Sequence, residues 1–308
     1  MANKQDCHSE ETKTDFSVHL SADIRNFWWS DGYKKFFAEN FDLKSKKMAL
    51  DVGCGAGHST QFLAGLCGSE TEILGVDANL KILETAKERS QSYPNISYQP
   101  GEVCELPFDS NTFDLVFCQT LLIHVHDVTK ALDEIKRVLK PGGLAILAET
   151  NNTSILANAN SALRSLSHEE GITLIDFFNH VVAGKKYQEG GDITIAYMLE
   201  SMARDVGFCK VTVCRNDKVL SLYPPYSTPE EQANLNFIKA MASQNYLLFS
   251  PEDCQKFYPI SNPNTDQYKQ GMEIVKKLNQ IYLEQISNQT FVGSFGAEMI
   301  ITIGQKAS

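Results

Sequence analysis

Residues 49–57 read Ala49-Leu50-Asp51-Val52-Gly53-Cys54-Gly55-Ala56-Gly57: an apolar run that takes in one acid and ends in three glycines at alternate positions. Met48 to Val52 has the length and composition of a strand buried on both faces of a parallel sheet. Glycines directly after such a strand let the backbone approach a ligand with no Cβ in the way. Thr60 to Cys67 then reads as a helix stopped by Gly68.

Outward from this unit the alternation continues. Ile73–Val76, Ile96–Tyr98, Leu115–Cys118 and Leu144–Ala148 read as strands. Leu80–Ser90 and Val128–Leu139 read as helices, the latter with Leu132, Ile135, Val138 and Leu139 on one face and Pro141-Gly142-Gly143 as its stop. Strands separated by helices imply an α/β, doubly wound, mostly parallel sheet. Past Glu149 the rhythm changes. Tyr197–Val206 reads as a helix, Val211–Leu222 as a strand broken by Pro224-Pro225, residues 228–288 as mostly helical, and Phe295–Ile303 as a last strand. The expected layout is a helical cap at 1–44, a core at 45–150, a helical insertion at 151–194, a core helix and strand at 195–223, a second insertion at 224–290 and the final strand at 291–308. The sheet should have seven strands, with the insertions as a lid. Phe16–Phe41 crowds Phe27, Trp28, Trp29, Tyr33, Phe36 and Phe37 together, as core packing or as part of a roof over a ligand.

Bulk properties narrow the function. The chain has 308 residues, 43% hydrophobic and 21% charged, ordinary for a globular protein. A net charge of −10 opposes phosphate backbones, so nucleic acid is not an expected partner. No apolar stretch approaches the length of a membrane span, and the polar first residues do not read as a secretion signal. The eight scattered cysteines, with no C-x-x-C pair, suggest free thiols in a reducing cytoplasm.

The glycine loop discriminates between cofactors. His58 stands where a G-x-G-x-x-G fingerprint would have its third glycine, and Asp51 precedes the loop. Both argue against a pyrophosphate cradle, hence against a nicotinamide-dependent oxidoreductase. Asp77, ending the second strand, can accept from both hydroxyls of a ribose.

These residues carry a resemblance. Ala49–Gly57 resembles the first motif of class I S-adenosylmethionine-dependent methyltransferases, and Gly75-Val76-Asp77 their second-strand motif. Gly101–Phe108 is similar to their adenine-contacting loop, with Glu102 where Asp is more usual. Phe113–Val116 through His124–Asp127 resembles the fourth-strand segment, and Leu139–Gly143 the turn before the fifth strand. The five motifs run in order over residues 45–150, about half the chain. The resemblance implies a Rossmann-like fold, S-adenosylmethionine as cofactor, and methyl transfer to N or O, less readily C, of a small molecule. It implies that Gly53, Gly55 and Gly57 hold the methionine end of the cofactor, with Asp51 at its ammonium group and Gln119 nearby. Asp77 would take the ribose hydroxyls, Ala78 and Asn79 would edge the adenine, Glu102 would accept from the adenine amine and Val103 would donate through its backbone. A non-catalytic S-adenosylmethionine-binding protein remains an alternative.

A sulfonium methyl is already activated, so the protein mainly positions a nucleophile, and a base helps only if that nucleophile arrives protonated. His124 follows the fourth strand at the edge where such sheets bind ligands; it is a base, or it packs or caps the next helix. Glu149, ending the fifth strand, accepts from the acceptor group or caps a helix. His180 lines a pocket or is a satisfied surface histidine; Tyr223, Tyr226, Tyr246 and Phe249 wall an apolar or aromatic substrate or pack the core. The fourth-strand exit, Cys118-Gln119-Thr120-Leu121-Leu122, has no clustered carboxylates, so no metal is expected. Oligomeric state is left open.

Overall fold

The computed structural model describes residues 23–152, 160–295 and 298–308. The expectations for residues 1–22 and 153–159 lie outside them.

Nine strands form among the described residues: β1 (Met48–Val52), β2 (Glu72–Asp77), β3 (Ile96–Pro100), β4 (Phe113–Gln119), β5 (Leu139–Thr150), β6 (Phe208–Arg215), β7 (Leu220–Leu222), β8 (Gly293–Phe295) and β9 (Met299–Lys306). Seven make one sheet in the order β3-β2-β1-β4-β5-β9-β6, parallel except for β9, which runs antiparallel to both neighbours. The fold is the expected α/β, Rossmann-like one. Strand order reverses between β1 and β4, and the crevice beyond their carboxyl ends is where such sheets bind ligands.

Successive strand residues point to opposite faces, and helices cover both. Val116, Cys118, Ala145 and Leu147 face one core with Leu50 and Val52. Leu115, Phe117, Ile146 and Ala148 face the other with Ala49, Ile301 and Ile303. On the first face lies α4 (Val128–Val138), after α1 (Asp31–Asn40), α2 (His58–Leu66) and α3 (Leu80–Arg89) in chain order. Asp127 caps α4 by accepting from the Lys130 amide. Its buried residues Val128, Ala131, Leu132, Ile135 and Val138 form one stripe, and each large one contributes about 1.5–3 kcal/mol by burial.

The later helices are α5 (His168–Glu189), α6 (Leu199–Asp205), α7 (Pro229–Ala242), α8 (Pro251–Ser261) and α9 (Thr265–Ser287). The two expected insertions share one apolar core, built from Phe177, Phe178 and Val181 of α5, Phe257 and Tyr258 of α8, and Val275 and Leu278 of α9. Gly184 makes the close crossing of α5 and α8 feasible: a Cβ there would lie 1.9 Å from the Phe257 carbonyl oxygen. This helical body seats on the sheet edge at Gly190-Gly191. Both glycines have positive φ, and a Cβ on Gly190 would meet the His126 ring.

The strand expected at Val211–Leu222 divides. Asn216 closes β6 by bonding the Met299 backbone through its own amide and through Oδ1. Asp217 is then drawn to the Ser30 hydroxyl at 2.7 Å. The chain leaves the sheet there, and Leu220–Leu222 pairs with Gly293–Phe295 in a separate ribbon. Phe295 therefore belongs to the ribbon, not to the last strand. Cys54, Cys67, Cys118, Cys209, Cys214 and Cys254 are free thiols. Cys104 is disulfide-bonded, which corrects the expectation of free thiols at that position.

Candidate functional site

The loop after β1 is pinned before any ligand arrives. The Gly53 and Cys54 amides both donate to the Val76 carbonyl, at 2.8 and 3.0 Å. Gly53 has φ +70°, and a Cβ there would lie 2.8 Å from the Leu121 side chain. Gly57 has φ +85°, and its Cβ would lie 2.7 Å from the Tyr98 hydroxyl. Only glycine meets both demands.

Asp51 is fully buried beneath this loop. Its Oδ2 accepts from the Ser59 and Thr60 hydroxyls at 2.8 and 2.6 Å. Its Oδ1 has no hydrogen-bond partner. Burial, with the Asp77 charge adding, pushes the carboxyl up to about 6. A buried acceptor of this kind fits a cationic group such as an ammonium. Asp77 accepts from the Gly55 amide on Oδ2 and from the Asn79 amide on Oδ1, each at 2.9 Å. A carboxylate has about four lone-pair sites, more than these two amides use.

Beside Asp77, Ala78 and Asn79 are exposed. The Asn79 side chain caps α3, accepting from the Lys81 and Ile82 amides, so its own edge contact is limited to backbone and surface. Leu80, 64% exposed, adds an apolar face there that the sequence reading passed over. Glu102 and Val103 follow Gly101, whose amide donates to the Asp77 carbonyl at 3.2 Å. Val103 is buried in the core and Glu102 is half-buried.

The β4 exit makes the other wall. Thr120, β-branched, has φ +51°, an unfavourable backbone for such a residue. That turn lays Leu121 over Gly53 and aims two amides at Glu149. Glu149 is fully buried, and its Oε1 accepts from Leu121 and Leu122 at 3.0 and 2.7 Å. Its Oε2 has no hydrogen-bond partner. Burial pushes this carboxyl up to about 8, against the opposing backbone amides. It therefore caps the 3-10 turn Leu122–His124. His124 ends that turn, half-buried, with Gly191 packed on its backbone. Asp51, the glycine loop, Asp77, Gln119, His124 and Glu149 thus gather along the β1, β2, β4 and β5 carboxyl ends.

The N-terminal segment meets the same edge. Trp29 Nε1 donates to Gln119 Oε1 at 3.1 Å, and its ring stacks on Phe62 at 4.7 Å. Tyr33 turns the other way, to the Cys214 thiol. Arg25, which the sequence reading missed among the aromatics, sits in the turn Asp23–Phe27 with its guanidinium 4.6 Å over Trp28. Its charge and that of Arg89 add to the burial that holds His58, first residue of α2, neutral down to about 3. His58 Nε2 has no hydrogen-bond partner. Helix α7 packs on the Asp23–Phe27 turn, joining the helical body to the roof.

Other candidates lie elsewhere. His180 bonds Ser261 and Asn262 between α5 and α8. Tyr226 donates to the Phe291 carbonyl, Tyr246 and Phe249 are buried, and Tyr223 is exposed. These pack the helical body or its surface.

With this geometry in place, residues 50–147 match the family profile described as "Methyltransferase domain". That stretch of the chain is thus similar to a methyltransferase domain. Over 154 residues it is 33% identical to the demethylmenaquinone methyltransferase of Staphylococcus aureus strain MRSA252, covering 50% of this chain and 64% of that protein. The homologue from strain JH9 is 32% identical over the same length. The chain thus spans just under two thirds of these relatives' length. Among solved structures it is similar to Haemonchus contortus phosphoethanolamine N-methyltransferase 2 in complex with S-adenosyl-L-methionine, at 19% identity and a TM-score of 0.50 over 96% of this chain and 58% of that one. That likeness concerns the fold alone.

Proposed function

We propose that the protein is an S-adenosylmethionine-dependent methyltransferase acting on an N or O nucleophile, less readily C, of a small molecule. The observation that carries this reading is the Asp51–glycine loop–Asp77 constellation at the point where strand order reverses. When bound, S-adenosylmethionine supplies a methyl already activated on a sulfonium. Gly53, Gly55 and Gly57 present backbone to its methionine end, Asp51 Oδ1 meets the ammonium group, and Gln119 stands nearby. Asp77 receives the ribose hydroxyls, Ala78, Asn79 and Leu80 edge the adenine, and Glu102 and Val103 contact its amine side.

Proton acceptance from the nucleophile falls to His124, the more accessible of the two candidates. Glu149 acts through the loop it caps, as a positioning residue. The helical body at 160–194 and 224–290, with residues 23–44, closes the site from water. The name of the S. aureus relative points to a small organic acceptor, which supports a small molecule here. Among the described residues no helix is long and apolar enough to cross a membrane. Six of the seven described cysteines are free thiols, which favours a cytoplasmic setting, whereas the disulfide at Cys104 runs against it.

Calorimetric titration with S-adenosylhomocysteine and with NAD tests the cofactor assignment. Binding of the first and not the second is expected; NAD binding without S-adenosylhomocysteine binding would overturn it.

A further inference from the structure

A cleft of about 580 Å³ opens on the surface of the helical body. Its floor is the β7–β8 ribbon and its wall is the 3-10 turn Leu163–Ser165. The wall is fixed to the floor. The Ser161 amide donates to the Val292 carbonyl, and the Ser161 hydroxyl accepts from the Val292 amide while donating to Gln285 on α9. The cleft is therefore preformed.

Its chemistry has two parts. Ser221 and Ser294 are directly opposite in the antiparallel register and both are exposed. Residues so paired present side chains on one face, with Cβ atoms about 4.5–5.5 Å apart. Arg164 stands on the wall. Among the described residues no carboxylate pairs with its guanidinium, although the chain carries 38 acidic residues against 28 basic ones. Five guanidinium N–H donors and two hydroxyls in one cleft suit an anion's oxygens. Leu222, Val292 and the exposed Tyr223 supply an apolar lining beside them. The volume falls in the range of small-molecule pockets, roughly 300–1,000 Å³, and exceeds what a bare inorganic anion fills.

We propose that this cleft binds a small organic anion, a carboxylate or phosphate ester with an apolar body, held by Arg164 and the Ser221–Ser294 hydroxyl pair. The site shares no residue with the proposed cofactor site, so it stands or falls independently of the methyltransferase reading.

The test titrates the whole chain with phenyl phosphate and with benzyl alcohol, its neutral counterpart, followed by saturation-transfer NMR. Phenyl phosphate should bind and benzyl alcohol should bind far more weakly. Arg164→Ala should weaken phenyl phosphate at least about tenfold, and Arg164→Lys less, because the ammonium keeps the charge and loses the fork. Ser221→Ala together with Ser294→Ala should weaken it several-fold. The circular-dichroism spectrum and melting temperature of each variant should match those of the wild type, which shows that the fold survives. No binding at millimolar phenyl phosphate, equal binding of benzyl alcohol, or unchanged affinity in Arg164→Ala would overturn the proposal.

Discussion

Replacing Glu149 by glutamine should make the protein more stable at neutral pH, and the gain should grow with pH. The side chain is fully buried, its Oε1 accepts from two backbone amides, and its carboxyl is pushed up from 4.5 to about 8. Between those values the folded protein holds a proton that the unfolded chain has released. Stability from this group is therefore lost as pH rises through the window, by about 1.4 kcal/mol per pH unit, and the loss levels off above the folded value. In Glu149→Gln the amide oxygen of the new side chain would keep both backbone bonds without ionising. From pH 5.5 to 7.5 the difference between variant and wild type should widen by roughly 2.7 kcal/mol in favour of the variant. Asp51, raised to about 6, titrates in both proteins and cancels in the difference. Urea unfolding at 25 °C at the two pH values measures it. A difference that stays constant with pH would show that Glu149 is ionised in the fold and refute the reasoning.

Asp77→Ala should weaken S-adenosylhomocysteine by about 3 kcal/mol, roughly a hundredfold, through two lost charge-assisted bonds; calorimetry reads it, and unchanged affinity would remove Asp77 from the ribose. Trp29→Phe keeps the ring stack on Phe62 and leaves the buried Gln119 Oε1 without its donor. It should cost about 1–3 kcal/mol of stability and reduce S-adenosylhomocysteine affinity, whereas Tyr33→Phe should leave that affinity unchanged. Activity should survive EDTA; loss with EDTA and recovery with Mg²⁺ would reveal a metal site.

The sheet was legible because its strands are covered on both faces. β1, β4 and the Leu144–Ala148 part of β5 are short apolar runs, and such runs leave little choice of element, although β5 itself begins at Leu139 and runs through the Pro141-Gly142-Gly143 turn that read as a helix stop. Glycine spacing placed the loop, since Gly53 and Gly57 have no room for a side chain. The long strand assigned to Val211–Leu222 failed because its end depends on Asn216 and Asp217 reaching Met299 and Ser30, 83 and 187 residues away. Nothing local signals such contacts. Glu149 shows another limit: two readings were open from sequence, and only the Leu121 and Leu122 amides reveal the cap. Arg25 was hidden because periodicity registers aromatic stripes and says nothing of a guanidinium lying over one of their rings. The joining of both insertions into one core rests on Gly184 meeting Phe257, again long-range.

The most direct test of methyl transfer is the mass of the product. The protein is incubated with S-adenosylmethionine carrying a CD₃ group on sulfur and with a panel of small molecules. The account predicts that one of them gains a CD₃ group in place of a hydrogen, with S-adenosylhomocysteine formed in equal amount. Tight binding of the cofactor with neither product across the panel, nor in extracts of the source cells, would contradict catalysis and leave a protein that binds the cofactor without using it.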